Sequence, residues 1–287
     1  MCQSKVKLNF RFATENDTQD VIKLWNLCFP DDSGFNEYFF SNIYKPEYNL
    51  LLFKDNILCS MAQMLPYKMQ NGNEMENITY IYGACTHPHY RRQHLMDKLL
   101  NHSFEIDRNL KRNASVLIPQ EQWLFGFYEQ FGYKPMLKLS YEQISSKINT
   151  QKDIIIKEAQ TEDISQMQML YISQIKNNVY YLIRNHFEWE RQIAMFKACG
   201  SKAVCMYDNN QIIGYAFIWL ENDNFYAQEF VFKPEYKEIC IYNLQKYLNL
   251  NNCKLCGLQF SNLYPLGSIK RYDNKAIDCG YINLMLN

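Results

Sequence analysis

Apolar positions along this chain follow a helical and a strand period, and the pattern occurs twice. Val6 to Phe12 alternates as a short strand, and Val21, Leu24, Trp25 and Cys28 then fall on one helical face behind the acidic first-turn residue Asp17. At an offset of 146 residues, Arg11, Ala13, Asp17 and Leu24 line up with Lys157, Ala159, Asp163 and Leu170. The second copy reads as Ile154 to Ile156, then Asp163, Met167, Leu170 and Tyr171. The same offset carries Pro88 and Tyr90 onto Pro234 and Tyr236, each after an aromatic-rich strand and before a helical pattern. Each copy also holds a hairpin signal: Asp55-Asn56 separates Leu50 to Lys54 from Ile57 to Met64, and Asn209-Asn210 separates Ala203 to Tyr207 from Gln211 to Leu220. The pattern predicts two related α/β units, residues 1–146 and 147–287, without a flexible linker. Hairpins beside helical crossovers make each sheet mixed, an α+β arrangement flanked by helices.

Composition narrows the function. A length of 287 residues exceeds a usual domain of ~100 to 200 residues, consistent with two units. Lys and Arg total 30 against 30 Asp and Glu, which argues against a phosphate-neutralising surface and against nucleic acid as a partner. The longest apolar run, Ile212 to Leu220, has nine residues and contains Gly214, short of the ~20 a membrane-spanning helix needs. Lys5 and Lys7 precede no apolar core of the ~7 to 15 residues found in a signal peptide, so a cytoplasmic location is expected. The ten cysteines lie mostly within apolar segments, as reduced core thiols do. Cys253 and Cys256 have a metal-like spacing, yet no second pair or nearby His completes four ligands, so a buried strand and no metal are expected. Association into a homo-oligomer stays open.

Chemistry concentrates between Ile78 and Leu100. A β-rich stretch, Ile78 to Thr86, feeds His87-Pro88-His89-Tyr90-Arg91-Arg92-Gln93-His94, and Leu95 and Leu99 then open a helical face. Free N–H groups at a helix start, the positive end of its dipole and two adjacent arginines would hold a phosphate or pyrophosphate. A solvated basic turn before an ordinary amphipathic helix is the other reading. The segment resembles the cofactor motif of the GCN5-related N-acetyltransferases (GNAT), Arg/Gln-x-x-Gly-x-Gly/Ala between a strand and a helix, with Arg91, Arg92, Gln93, His94, Leu95 and Met96 in the motif. In that family the loop and helix amides hold the pyrophosphate of acetyl-coenzyme A. The preceding strand binds the pantetheine arm, which implies the backbone of Ala84, Cys85 and Thr86 here. The sequence departs from the motif at both glycines, replaced by His94 and Met96; a non-glycine residue in a left-handed conformation costs ~1 to 2 kcal/mol.

A second match lies downstream. Val116 to Pro119 reads as a strand, and Trp123-Leu124-Phe125-Gly126-Phe127-Tyr128-Glu129-Gln130-Phe131-Gly132-Tyr133 as a helix ending near Gly132. An aromatic stripe of this kind otherwise packs as core. The family carries Phe-Tyr-x-x-Phe-Gly-Phe/Tyr here, its tyrosine facing the coenzyme A sulfur, and Tyr128 takes that place. The resemblance implies that Tyr128 gives a proton or hydrogen bond to the departing thiolate.

An entire acetyltransferase unit followed by a degenerate one resembles the tandem Eis-like acetyltransferases, without their C-terminal sterol-carrier-like domain. The second copy's loop, Lys233 to Cys240, shows no phosphate signature, so only the first unit is expected to bind acetyl-CoA. The resemblance implies direct N-acetyl transfer to a primary amine of a small molecule or peptide. It names no general base. Glu229, inside the aromatic strand Phe225 to Phe232, reads as a base or as a paired structural acid. Asp31, Asp32 and Glu37 could attract a cationic amine or cap the second helix, and whether Asn287 reaches the cleft stays open. With two glycines replaced and no base in view, a non-catalytic acyl-CoA-binding or interaction module of the same fold is the alternative. A transferase dependent on aminoacyl-tRNA is disfavoured by the neutral charge.

Overall fold

Strand alternation and helical stripes become a mixed α/β structure, in a computed structural model that describes residues 7–31, 33–148, 150, 152–175, 180–221, 223–273, 275 and 277–284. The first half runs β1 (Leu8–Phe12), α1 (Thr18–Cys28), α2 (Phe35–Asn42), β2 (Asn49–Lys54), β3 (Ile57–Asn71) and β4 (Glu74–Thr86). It continues through α3 (Leu95–Asn109), β5 (Ala114–Leu117), α4 (Gln122–Glu129) and β6 (Lys134–Ile144). The second half runs β7 (Ile155–Glu158), α5 (Ile164–Ile175), β8 (Tyr180–Leu182), α6 (His186–Ala198), β9 (Lys202–Asp208) and β10 (Gln211–Leu220). It closes with β11 (Asn224–Phe232), α7 (Lys237–Leu248), β12 (Asn252–Gly257), β13 (Asn262–Arg271) and β14 (Gly280–Tyr281). Among the described residues no helix is long and apolar enough to cross a membrane.

Local chemistry explains the repeated elements. Both predicted hairpin turns carry two left-handed residues, Asp55 and Asn56 (φ 50° and 67°) and Asn209 and Asn210 (φ 48° and 65°), as a tight two-residue turn requires. Ahead of α1, Asp17 accepts the Thr14 N–H at 2.8 Å and both Arg11 guanidinium nitrogens at 2.7 Å, which fixes the entry of the helix. Val21, Leu24 and Trp25 are its buried face, as the pattern predicts, and Cys28 is half-buried at its end.

The chain forms two compact units, and neither is a single stretch of sequence. Unit 1 comprises Met1–Met69, Asn73–Met136 and Gly267–Ala276; unit 2 comprises Gln70–Gly72, Leu137–Leu266 and Ile277–Asn287. In unit 1 the last part of β13 pairs antiparallel with β5, from Ser268↔Leu117 to Arg271↔Ala114. In unit 2 the last part of β6 pairs antiparallel with β12, from Cys253↔Ile144 to Gly257↔Ser140. Relative to a cut after residue 146, each unit therefore takes a strand from the other part of the chain. The returning segment is anchored within unit 1: Arg271 grips the buried Glu76 carboxylate with two bonds of 2.8 and 2.9 Å, and the Tyr272 hydroxyl donates to buried Asp107 at 2.7 Å.

Antiparallel pairing dominates both units; β4 pairs parallel with β5 in unit 1, and in unit 2 β11 pairs parallel with β12 and the short β14 with β6 and β8. On one face of the unit 1 sheet, Leu50, Leu52, Ala62, Met64 and Ile81 pack against Leu95, Leu99 and Phe104 of α3 and Tyr128 of α4. The other face is covered by α1 and α2, where Trp25 stacks on Phe39 at 4.8 Å and meets Tyr82 at 5.5 Å. Unit 2 buries its own cluster, in which Phe225, Phe230, Ile241, Leu244 and Leu255 meet Ile144 from β6.

Candidate active site

The site begins where β4 outruns its neighbour. The parallel ladder with β5 covers Ile78↔Ala114, Thr79↔Ser115 and Tyr80↔Val116, and β4 continues past it to Thr86. Gly83 lies in this extension at φ +57°, a left-handed conformation, and a Cβ there would stand 2.1 Å from the Trp25 ring. Only glycine meets both conditions. The strand end is held from three sides. The Thr86 hydroxyl bonds Ser60 Oγ at 2.9 Å, the Thr86 carbonyl accepts from Arg91 Nε at 3.1 Å, and the Cys28 thiol donates to the same carbonyl at 3.6 Å. Ala84, Cys85 and Thr86 thus lie in one well-tethered segment, with Cys85 buried and the other two half-buried.

Between the turn at Pro88–Tyr90 and the start of α3, the exposed residues Arg91, Arg92, Gln93 and His94 form a four-residue loop. Arg92 (φ 61°) and His94 (φ 56°) are left-handed, the conformation that lets the chain double back before the helix. His94 is the N-cap, and its Nδ1 bonds the Asp97 carboxylate at 2.7 Å, a local contact that offsets part of the backbone strain. Met96, at the motif's second glycine position, is within the first turn of α3 and packs against the core, so only His94 of the two replacements bears a left-handed strain. Leu95 is buried beside it. The amides of Leu95, Met96 and Asp97 have no acceptor inside the helix, by the geometry of any helix start. Lys54 adds a cation by donating to Gln93 Oε1 at 2.7 Å, with its ammonium 5.9 Å over the Tyr90 ring. Arg91 turns back onto the strand end instead of projecting away from it.

Tyr128 comes from α4, only 8% exposed, in the cluster that includes Ile81, Leu95 and Leu117. Burial, followed by the field of the Cys85 sulfur, pushes its phenol up to about 12, so the hydroxyl keeps its proton through the neutral range. Strand tail, loop, helix start and Tyr128 therefore belong to one neighbourhood of unit 1. Sequence reasoning missed Cys28, Ser60 and Lys54 as members of it. Cys28 carried only the signal of an apolar helix position, and nothing in the pattern joins Ser60 or Lys54 to the loop.

Of the acidic candidates, Asp31 and Glu229 are occupied elsewhere. Asp31 accepts the Ser33 and Asn36 amides at 3.0 and 2.8 Å and the Ser33 hydroxyl at 2.6 Å, and so braces the start of α2. Burial opposes its ionisation, but these bonds prevail and lower its pKa. Glu37 is exposed, while Asp32 and Asn287 lie outside the described residues. Glu229 is wholly buried: Arg184 donates to both its oxygens at 2.5 and 2.7 Å, and the Tyr215 and Tyr281 hydroxyls add bonds of 2.9 and 2.7 Å. That is the paired structural acid, with its lone pairs committed. Cys253 and Cys256 are buried in β12, and among the described residues no three His, Cys, Asp or Glu side chains gather as metal ligands.

A mixed sheet whose strand β4 overruns its parallel neighbour and feeds a basic loop at a helix start is the arrangement of the GNAT fold. Residues 9–136 match the model of the acetyltransferase (GNAT) domain. Among solved structures the chain is similar to a GCN5-related N-acetyltransferase from Anabaena variabilis, with a TM-score of 0.72 at 14% identity, covering 93% of this chain and 73% of that one. Eis1 from Mycobacterium abscessus gives 0.64 at 11% identity, over 93% and 74%. The Saccharomyces cerevisiae N-myristoyltransferase with bound myristoyl-CoA gives 0.60 at 11% identity, over 95% and 80%. No curated protein sequence matches the chain.

Proposed function

We propose that this chain is an N-acetyltransferase that moves an acetyl group from acetyl-CoA to a primary amine of a small molecule or peptide, in the cytoplasm and without a metal. The observation that carries the reading is the buried, protonated Tyr128 hydroxyl beside the tail of β4, with the left-handed loop of Arg91, Arg92, Gln93 and His94 opening α3 from the same strand. The loop and the first amides of α3, including Leu95 and Met96, would take the pyrophosphate, and the backbone of Ala84, Cys85 and Thr86 the pantetheine arm. An adenine-bearing pyrophosphate suits a helix start flanked by Arg91, Arg92 and Lys54.

A neutral amine forms the new C–N bond as the thioester C–S bond breaks, and strand amides near Cys85 oppose the charge that develops on the carbonyl oxygen. Tyr128 faces the departing sulfur. A thiol titrates near ~8.5 whereas Tyr128 titrates at about 12, so complete proton transfer from the phenol is uphill by roughly 5 kcal/mol. Tyr128 therefore stabilises the thiolate mainly by donating a hydrogen bond, and the proton released by the amine ends on the thiol. Unit 2 is read as a degenerate tandem copy with a structural role, because α7 opens at Lys237 directly after the Pro234–Tyr236 turn and leaves no loop for a phosphate.

Calorimetry with acetyl-CoA, followed by thiol release across a panel of amines, tests the proposal. Saturable binding and amine-dependent release are expected; no binding would sink it. The strained His94 and the full engagement of Glu229 favour one other reading, an acyl-CoA binder without turnover. That reading predicts binding with no thiol release from any amine.

A further inference from the structure

The indole of Trp25 is pinned against the strand just before the segment Ala84 to Thr86. Two carbons of its six-membered ring lie 2.1 and 2.6 Å from the place a Gly83 Cβ would take, so the ring rests on the bare backbone of β4. Its nitrogen is tied as well: Nε1–H donates to Asn36 Oδ1 at 2.8 Å, and the Asn36 side-chain amide donates to the Phe29 carbonyl at 2.9 Å. The ring stacks on Phe39 at 4.8 Å with an interplanar angle of 17°, and Phe40 meets it edge-on at 5.4 Å. Trp25 and Phe39 are both buried. We propose that Trp25 is a specificity-determining residue, a fixed wall beyond the thioester that restricts the transferred group to short acyl chains, acetyl and propionyl.

Chain order sets the direction of the donor. With acyl-CoA placed as in the proposed function, on which the limit rests, the pyrophosphate sits at the loop that follows Thr86. The pantetheine arm then runs back along β4 past Thr86, Cys85 and Ala84, and its sulfur points toward Gly83. An acyl group continues beyond the sulfur. One strand step is about 3.3 Å, close to the length of an acetyl group, whereas a hexanoyl chain is much longer. Extended along the strand, the longer chain meets the Trp25 ring, while Ile81, Leu95 and Tyr128 pack on the opposite face of the sheet. Its entry would have to displace an indole held by a hydrogen bond and two aromatic contacts, and packed interiors yield little to added volume. Gly83 belongs to the same device, because the missing side chain is what lets the ring lie so close to the strand.

Calorimetry of the full chain with coenzyme A and with its acetyl, propionyl, butyryl and hexanoyl thioesters tests the limit before any substitution is made. Acetyl-CoA and propionyl-CoA should bind alike, and hexanoyl-CoA about tenfold or more weakly. Trp25→Leu should narrow the gap between hexanoyl-CoA and acetyl-CoA by about tenfold. Trp25→Phe keeps an aromatic ring for Phe39 to stack on and gives up the bond to Asn36, so it serves if the leucine variant does not fold; it should narrow the gap by about threefold. The ratio of the two affinities is the readout, since loss of packing alone weakens every thioester together. Hexanoyl-CoA that binds the unaltered chain as tightly as acetyl-CoA, or a ratio unmoved in the folded variants, overturns the limit and leaves the acyl-CoA reading standing. Failure of coenzyme A and all its thioesters to bind overturns that reading itself and the limit with it.

Discussion

Pro88–Tyr90 and Pro234–Tyr236 are the same turn placed 146 residues apart, and the chain leaves the two turns differently. After Tyr90 it spends four residues, two of them left-handed, before α3 begins at Leu95. After Tyr236 the helix starts at once with Lys237. A second difference lies on the preceding strand. Gly83 and Glu229 occupy matching positions, yet Gly83 bends a free strand end over Trp25 while Glu229 anchors Arg184, Tyr215 and Tyr281 in a sealed core. Arg184 also lies over Tyr171 and Trp189, at 4.8 and 4.9 Å. In unit 2 the parallel pair extends as far as Phe230↔Gly257, where a Cβ on Gly257 would stand 2.2 Å from the Phe230 carbonyl. The same architecture thus yields an accessible strand end or a packed one, depending on a short loop and one side chain.

The largest effect should come from Gly83→Ala. It adds a Cβ against Trp25 at a left-handed position, and should lower stability by about 4 kcal/mol, read as a fall in the thermal midpoint. Glu229→Gln breaks the matching position in unit 2. Leaving the Arg184 charge buried without its anion should cost about 3 kcal/mol while the Michaelis constant for acetyl-CoA holds, and a large rise in that constant would show that unit 2 serves the donor. Tyr128→Phe should reduce kcat about a hundredfold in a thiol-release assay with little change in melting. Arg92→Ala should weaken acetyl-CoA about fivefold by calorimetry, with the difference shrinking as salt is added. At the small end, His94→Gly should relieve the left-handed strain and raise stability by up to about 1 kcal/mol, less whatever the Asp97 contact contributes.

Much of the fold is readable from sequence because its signals are local. The Asp-Asn and Asn-Asn turns, the α1 stripe and the strand-loop-helix segment each rest on neighbours within a few residues. Met96 reads as a strained position from the motif alone because a motif marks where glycine stands, not which residues turn left-handed; Arg92 and His94 do. Cys28 is invisible as part of the site in the sequence, since its partners arrive from positions 86 and 91. The pairing of β5 with residues 268–271 joins segments far apart in sequence, and no periodicity encodes it.

That pairing carries a consequence for how the protein is made. A ribosome delivers Leu117 about 150 residues before Ser268, so unit 1 must wait with β5 lacking its outer partner for roughly 8 to 30 s. Over that interval the newborn first half is an unfinished sheet with an open edge, the surface most prone to pair with a neighbouring chain. The bonds of Arg271 to Glu76 and of Tyr272 to Asp107 then work as a late latch, formed only after residues 268–272 have been made.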